Sequence, residues 1–148
     1  MKIREGSKYD ALAMEQIAKD SGYAVPELEL DEESIKEMFD QKHVFFVAED
    51  EGEDIGYVAL DPRPSEKIEL VSVEVKKAHQ HKGIGKALVE TALGKVWELD
   101  KKELFLFCHP RNKTAIEFYS ELGFKNRGLV PGHYSTGEPA LLLSKKVD

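Results

Sequence analysis

The sequence predicts an α/β (α+β) chain with its elements in the order β-α-α-β-β-β-α-β-α-β-β. Three observations carry this. Residues 68–93, IELVSVEVKKAHQHKGIGKALVETAL, read as a strand, a short basic link and a helix whose first turn holds two glycines. Short apolar runs bounded by Gly, Pro or acidic turns recur on either side of it, as strands do. Between them lie amphipathic stretches that open on capping residues, as helices do.

Taken in order, residues 2–4 form a short first strand. Ser7-Lys8-Tyr9-Asp10 fits a capping box, opening a helix with Ala13, Met14, Ile17 and Ala18 on one face. Gly22 stops it, and a loop with Pro26 follows. Asp31 caps a second helix; Glu32 and Glu33 suit the positive end of its dipole, and Ile35, Met38 and Phe39 face inward. Residues 44–48 and 55–60 are strands joined by an acidic turn at Gly52, a hairpin. Pro62 and Pro64 break the chain before the strand at 68–75. A helix runs from Gly83 to about Leu99, with Trp97 read as packing, and residues 104–108 are another strand. Residues 112–122 are helical and end at Gly123, a C-cap glycine. The tail supplies strands near 124–130 and 140–143.

Composition bounds the function. The 148 residues suit one domain, 1–148, with a proper core. A formal charge of −7 argues against general nucleic-acid binding and favours a cationic partner. No apolar run reaches membrane-helix length, no signal-peptide core opens the chain, and the single cysteine, Cys108, allows no internal disulfide. A cytoplasmic protein with no membrane partner is the expectation.

Within this acidic chain, residues 76–86 contain no acid, but hold Lys76, Lys77, Lys82 and Lys86 with His79 and His81. The first amides of a helix have no intrahelical acceptor and carry the positive end of the dipole, so a basic, glycine-rich helix start suits an anion. Gln80-His81-Lys82-Gly83-Ile84-Gly85 fits Gln/Arg-x-x-Gly-x-Gly/Ala. A Walker loop needs a different spacing, and the dinucleotide fingerprint needs a glycine where Leu88 stands.

This stretch resembles the acetyl-CoA-binding motif of the GCN5-related N-acetyltransferases, the GNAT family. A second stretch, Asn112-Lys113-Thr114-Ala115-Ile116-Glu117-Phe118-Tyr119-Ser120-Glu121-Leu122-Gly123-Phe124, is similar to the family's Asn-x-x-Ala-x-x-x-Tyr-x-x-x-Gly-Phe. The element order is also the family's, so the resemblance spans nearly the whole chain. It implies a mixed central sheet flanked by helices, acetyl-CoA as co-substrate and no metal. It places Gln80, His81, Lys82, Gly83, Ile84, Gly85 and Lys86 at the CoA pyrophosphate. It implies that the fourth strand bulges and splays from the fifth, so that backbone groups of Val73 and Val75 hold the pantetheine arm. Asn112 by the same resemblance contacts the cofactor, although it also suits a helix N-cap. Tyr119 matches the family's frequent general acid, and a core tyrosine would suit that place too.

Glu69 alternates with Val71, Val73 and Val75 and so is expected on their side of the strand. Family members that act on histones place a general-base glutamate at a similar distance before the glycine motif. Glu69 is thus a candidate base, or else an exposed strand residue. Cys108 and His109, adjacent on a strand, diverge and form no dyad. His79 and His81 lack the further ligands a metal needs.

The tail Gly132-His133-Tyr134-Ser135-Thr136-Gly137-Glu138-Pro139-Ala140 resembles protein N-terminal acetyltransferases, including the ribosomal-protein-alanine type. It makes His133 and Tyr134 candidates for acceptor binding, and the acidic loop residues Glu27 and Glu29 are expected to attract a cationic acceptor without choosing between amines. The alanine type has a glutamate base on the fifth strand, at the position of Phe107. The expected activity is N-acetylation of a primary amine by direct attack: a protein α-amino group, or a polyamine-like or lysine amine. The contrasting class is a CoA-binding module that serves a partner without turnover; Tyr119 favours the enzyme. A homodimer is also consistent with the family.

Overall fold

The structure is a computed structural model and describes residues 1–21 and 30–147. One seven-stranded sheet is built from β1 (Lys2–Glu5), β2 (Val44–Asp50), β3 (Glu53–Asp61), β4 (Lys67–Val75), β5 (Glu103–Cys108), β6 (Lys125–Val130) and β7 (Ala140–Lys146), in the order β1-β2-β3-β4-β5-β7-β6. Among the described residues four α-helices flank it: α1 (Ala11–Ser21), α2 (Glu32–Asp40), α3 (Ile84–Glu98) and α4 (Lys113–Glu121). Among the described residues only the β4–β5 pair is parallel, so the sheet is mixed, as expected.

Each face of the sheet has its own core. On one face Val58, Leu60, Ile68 and Leu70 pack under Ile84, Leu88, Val89 and Ala92 of α3 and Tyr119 of α4. On the other, Phe45, Tyr57 and Ala59 meet Met14 and Ile17 of α1 and Ile35 of α2. A strand covered on both sides loses its polar alternation, and β3 is buried continuously from Ile55 to Asp61 for that reason. Gly56 is needed there: a Cβ would lie 3.1 Å from the Glu74 carbonyl and 3.3 Å from Leu88 Cδ1.

Three elements differ from expectation. Ser7 does form a capping box with Asp10, but the turn it opens at Lys8–Asp10 is 3₁₀, and α1 follows at Ala11. Asp10 is held there because it also takes a forked pair of bonds from Arg4, at 2.9 and 3.0 Å. Trp97 does not pack; it is 69% exposed. The buried stripe of α3 runs through Leu88, Ala92 and Val96, and the next residue is turned about 100° away. β7 continues through Ser144, Lys145 and Lys146, because it lies between β5 and β6 and its backbone is paired whatever its side chains. The expectations for Gly22, Pro26, Glu27 and Glu29 fall outside the described residues.

Two irregularities of β4 open the centre of the sheet and re-aim its side chains. Its pairing with β5 is confined to Lys67, Ile68 and Glu69 opposite Glu103, Leu104 and Phe105, after which the strands part. Its register with β3 also shifts: Ala59 faces Ser72, but Leu60 faces Leu70, leaving Val71 as an extra residue. Such a bulge reverses the alternation of side chains beyond it. Val73 and Val75 therefore join Ile68 and Leu70 on the α3 face. Glu69, opposite Asp61, lies with Val71 on the α1 face. The expectation that Glu69 shares a side with Val73 and Val75 is corrected by the bulge between them.

At the edge near the start of β2, His43 is buried. Its Nδ1 lies 3.1 Å from the Met38 carbonyl and its Nε2 is 3.8 Å from Asp61. Burial lowers its pKa, outweighing the pull of Asp61 in the other direction. Because the folded value is depressed, the neutral ring contributes stability above the unfolded value of about 6.5, and that contribution is lost as pH falls. Urea midpoints should fall between about pH 7.5 and about pH 5.5, and less steeply for His43→Gln. Equal slopes for the two proteins would show that His43 is not the titrating group.

Candidate active site

The glycine loop is built to present amides. His81 and Gly83 take left-handed backbone angles, φ 64° and 84°, and the first helical bond of α3 is Ala87 N–H to the Gly83 carbonyl at 3.0 Å. The amides from His81 to Lys86 consequently donate to no described residue. Gly83 is required by its conformation, since a Cβ there would meet nothing. Gly85 is different: a Cβ would sit 3.4 Å from the Phe118 ring, an ordinary contact.

The basic residues do not all serve this loop. Lys76 pairs with Glu53 at 3.0 Å, whereas Lys82 is exposed and forms no ion pair with a described residue. Gln80 lines the cleft, but its side-chain amide bonds the Ser21 and Val75 carbonyls at 2.9 and 2.8 Å. It clamps the end of α1 to the end of β4 and does not reach outward. The Val75 carbonyl is thereby already engaged.

From this loop a cleft of about 1080 Å³ runs along the gap between β4 and β5. Val73, Val75, Cys108, Asn112, Phe118 and Tyr119 are among its walls. Beyond Glu69 the β5 side of β4 has no strand partner, so backbone groups there are free for a ligand. Asn112 uses Oδ1 to cap α4, accepting from Ala115 N–H at 3.1 Å, which leaves its NH₂ for other partners. Tyr119 is 8% exposed, wedged edge-on against Phe118 and Phe124, and its hydroxyl bonds no described residue. Burial, then the proximity of Cys108 and Glu74, push the phenol well above its usual range, so it holds its proton at neutral pH.

The mouth of the cleft is aromatic. His133 stacks on Phe107 with ring centroids 4.1 Å apart, and Tyr134 lies over His109 at 6.1 Å. His109 Nδ1 accepts from Arg111 N–H at 3.1 Å, which leaves the proton on Nε2, directed at the Glu138 carboxylate. Both ring nitrogens are occupied.

Residues 11–124 match the acetyltransferase (GNAT) family. The chain belongs to this family. It is an N-acetyltransferase of the GNAT type. It is 29% identical to an N-alpha-acetyltransferase of Sulfurisphaera tokodaii over 88% of its own length and 86% of that protein's. Its fold matches that of the ribosomal-protein-S18-alanine N-acetyltransferase of Escherichia coli with a TM-score of 0.84, at 20% identity, covering 99% of this chain and 94% of that one. It also matches the PaiA N-acetyltransferase of Thermoplasma acidophilum, solved in complex with coenzyme A, with a TM-score of 0.78 at 22% identity, covering 99% of both chains.

In this GNAT chain the glycine loop, the β4–β5 gap, Asn112 and Tyr119 converge on one cleft. Glu69 does not line it; it sits at the paired end of β4 near Asp61 and Arg63, and burial raises its carboxyl above the usual range. His133 is exposed outside the lining, while Tyr134 belongs to it. Among the described residues no cluster of side chains could hold a metal.

One residue escaped sequence reasoning. Glu74 lines the cleft, is 7% exposed, and is raised above the usual carboxylate range by burial. The signal was present in the order of polar residues: 69, 72 and 74 are polar while 68, 70, 73 and 75 are apolar. That pattern breaks strict alternation once, between 70 and 73, where the bulge lies.

The loop geometry separates two substitutions. Gly85→Asp should remove measurable acetyl-CoA binding in calorimetric titration while circular dichroism stays that of the wild type. Gly83→Ala should instead cost stability, about 1–2 kcal/mol, through its left-handed backbone. Undiminished affinity in a folded Gly85→Asp protein would place the pyrophosphate elsewhere.

Proposed function

We propose that this enzyme transfers the acetyl group of acetyl-CoA to the α-amino group of a peptide or protein N-terminus by direct attack. The observation that carries this reading is the likeness to an N-alpha-acetyltransferase over nearly the full length of both chains. The free amides from His81 to Lys86 are suited to the pyrophosphate and the unpaired edge of β4 at Val73 to the pantetheine arm. Acetyl-CoA supplies an activated acyl group on a tolerable leaving thiolate.

Tyr119 is the proposed general acid for that thiolate. A phenol near ~10 donating to a thiol near ~8.5 runs slightly uphill, and burial of Tyr119 steepens the gradient. Its contribution should therefore be moderate. Tyr119→Phe should lower kcat by about 10²-fold, the low end for general acid catalysis, without changing acetyl-CoA affinity. Wild-type turnover in the variant would reduce Tyr119 to a packing role.

The choice of amine follows from protonation. Only a neutral amine attacks. An α-amino group, pKa ≈ 7.7–8.0, is roughly a quarter neutral near pH 7.4, whereas lysine, pKa ≈ 10.4, is neutral about one part in a thousand. The difference is roughly 3 kcal/mol. Position 107 on β5 offers an aromatic ring stacked under His133 and no base. Paired peptides, one with a free N-terminus and blocked lysines and the other the reverse, should show higher kcat/KM for the free N-terminus. A tenfold or greater preference for the lysine peptide, or for a free polyamine, would overturn the acceptor assignment.

A further inference from the structure

Four acids line the cleft: Glu74, Glu117, Glu121 and Glu138. The last three are exposed, and Glu138 is committed to His109. Glu74 is buried at the point where the cleft passes from the α3 face to the α1 face. Ser21 Oγ, at the end of α1, donates to its Oε2 at 2.5 Å, and Ser72 Oγ to its Oε1 at 3.3 Å. Tyr57 on β3 is its cross-strand partner; burial raises the pKa of both Tyr57 and Tyr119, and the charge of Glu74 adds to it. The Tyr57 hydroxyl is itself buried with no hydrogen-bond partner among the described residues, and Ser72 is near it.

No lysine, arginine or histidine among the described residues pairs with Glu74. A buried carboxylate is costly unless paired with a cation, and two hydroxyls compensate it only in part. The acceptor of an N-acetyltransferase arrives mostly as an ammonium ion. It has the charge that Glu74 lacks as a partner among the described residues, since Lys86, His79 and His81 line the cleft without pairing with it, and Glu74 faces the same cleft as the proposed acid, Tyr119.

We propose that Glu74 binds the acceptor's ammonium group and takes the proton that its nitrogen must lose. This rests on the reading of the cleft as the site of acetyl transfer to an amine, but not on which amine. One proton passes from nitrogen to a Glu74 oxygen. The nitrogen lone pair then bonds to the acetyl carbon as the carbon–sulfur bond breaks, and the leaving sulfur takes the Tyr119 proton. The second nitrogen proton is lost to solvent, leaving a neutral amide. Burial of the carboxyl, which raises its pKa, strengthens it as a base.

The experiment uses whichever amine the wild type turns over best, so that a lysine or polyamine preference would overturn the N-terminal reading while leaving this one open to test. Glu74→Gln should lower kcat/KM by about 10²-fold or more, abolish the acidic limb of its pH profile and leave acetyl-CoA affinity unchanged. A weakly basic amine, already neutral at the assay pH, should lose much less. Ser21→Ala, which removes a bond to the charged carboxylate, should move the acidic limb to higher pH and keeps the test available if Glu74→Gln fails to fold. The proposal is overturned if Glu74→Gln retains the wild-type pH profile, if its loss lies in acetyl-CoA affinity, if Ser21→Ala leaves the limb in place, or if Glu69→Gln and not Glu74→Gln removes it.

Discussion

Parallel pairing between β4 and β5 ends at Glu69 and Phe105, and the rest of the molecule depends on that gap. A sheet interior normally satisfies every backbone group with a neighbouring strand. Here the far half of β4 is paired with β3 alone, while β5 takes β7 as its other neighbour along its whole length. The divergence leaves backbone donors and acceptors at the centre of the sheet instead of at its rim. It is tolerable only because the core continues around it: Leu70 and Leu106 stay buried on either side. The loop after β4 then delivers the first turn of α3 to one end of the opening, so strand edge and helix start face a single ligand path.

The bulge at Val71 sorts the side chains along this opening. Without it, Ser72 and Glu74 would follow Ile68 and Leu70 onto the α3 face, against Leu88 and Val89, where no polar partner waits. With it, Val73 and Val75 complete that apolar face, and the polar pair turns toward α1, where Ser21 supplies a hydroxyl. Gly56 belongs to the same adjustment, its missing Cβ letting β4 and Leu88 approach β3. Gln80 fixes the result by tying the end of β4 to the end of α1 through two carbonyls.

Much of this was legible in the sequence, for physical reasons. Asp31, Asn112 and the Ser7–Asp10 box announced helix starts, because a cap is a local interaction between residues three apart. The glycine loop was legible because its positive φ at Gly83 suits one residue type above others. What failed was non-local. Trp97 looked like core because the sequence does not say which angular stripe of α3 meets the sheet. The last strand was cut short at polar residues that tertiary pairing holds in place. Glu69 was assigned by strict alternation, and a one-residue bulge against β3 put it on the other face from Val73 and Val75. Gln80 fitted the cofactor motif in type and place; that its side-chain amide also ties β4 to α1 depends on tertiary contacts the sequence does not display.

On the proposed roles of the glycine loop and Glu74, the arrangement brings two substrates to one point from opposite sides of a sheet. The free amides of the glycine loop lie at the start of α3, whereas Glu74, Ser21 and Tyr57 belong to the α1 side. An intact sheet would separate these two environments by a layer of paired backbone. The gap removes that layer over the far half of β4, and Tyr119 occupies the passage with its hydroxyl unspent. Keeping the two sides distinct has an electrostatic consequence. The polyanionic cofactor needs positive backbone dipoles, and a cationic amine needs a carboxylate; placed on one face, each would weaken the other's site. Set on opposite faces and joined only at the opening, the two fields keep opposite signs, and the proposed transfer takes place between them.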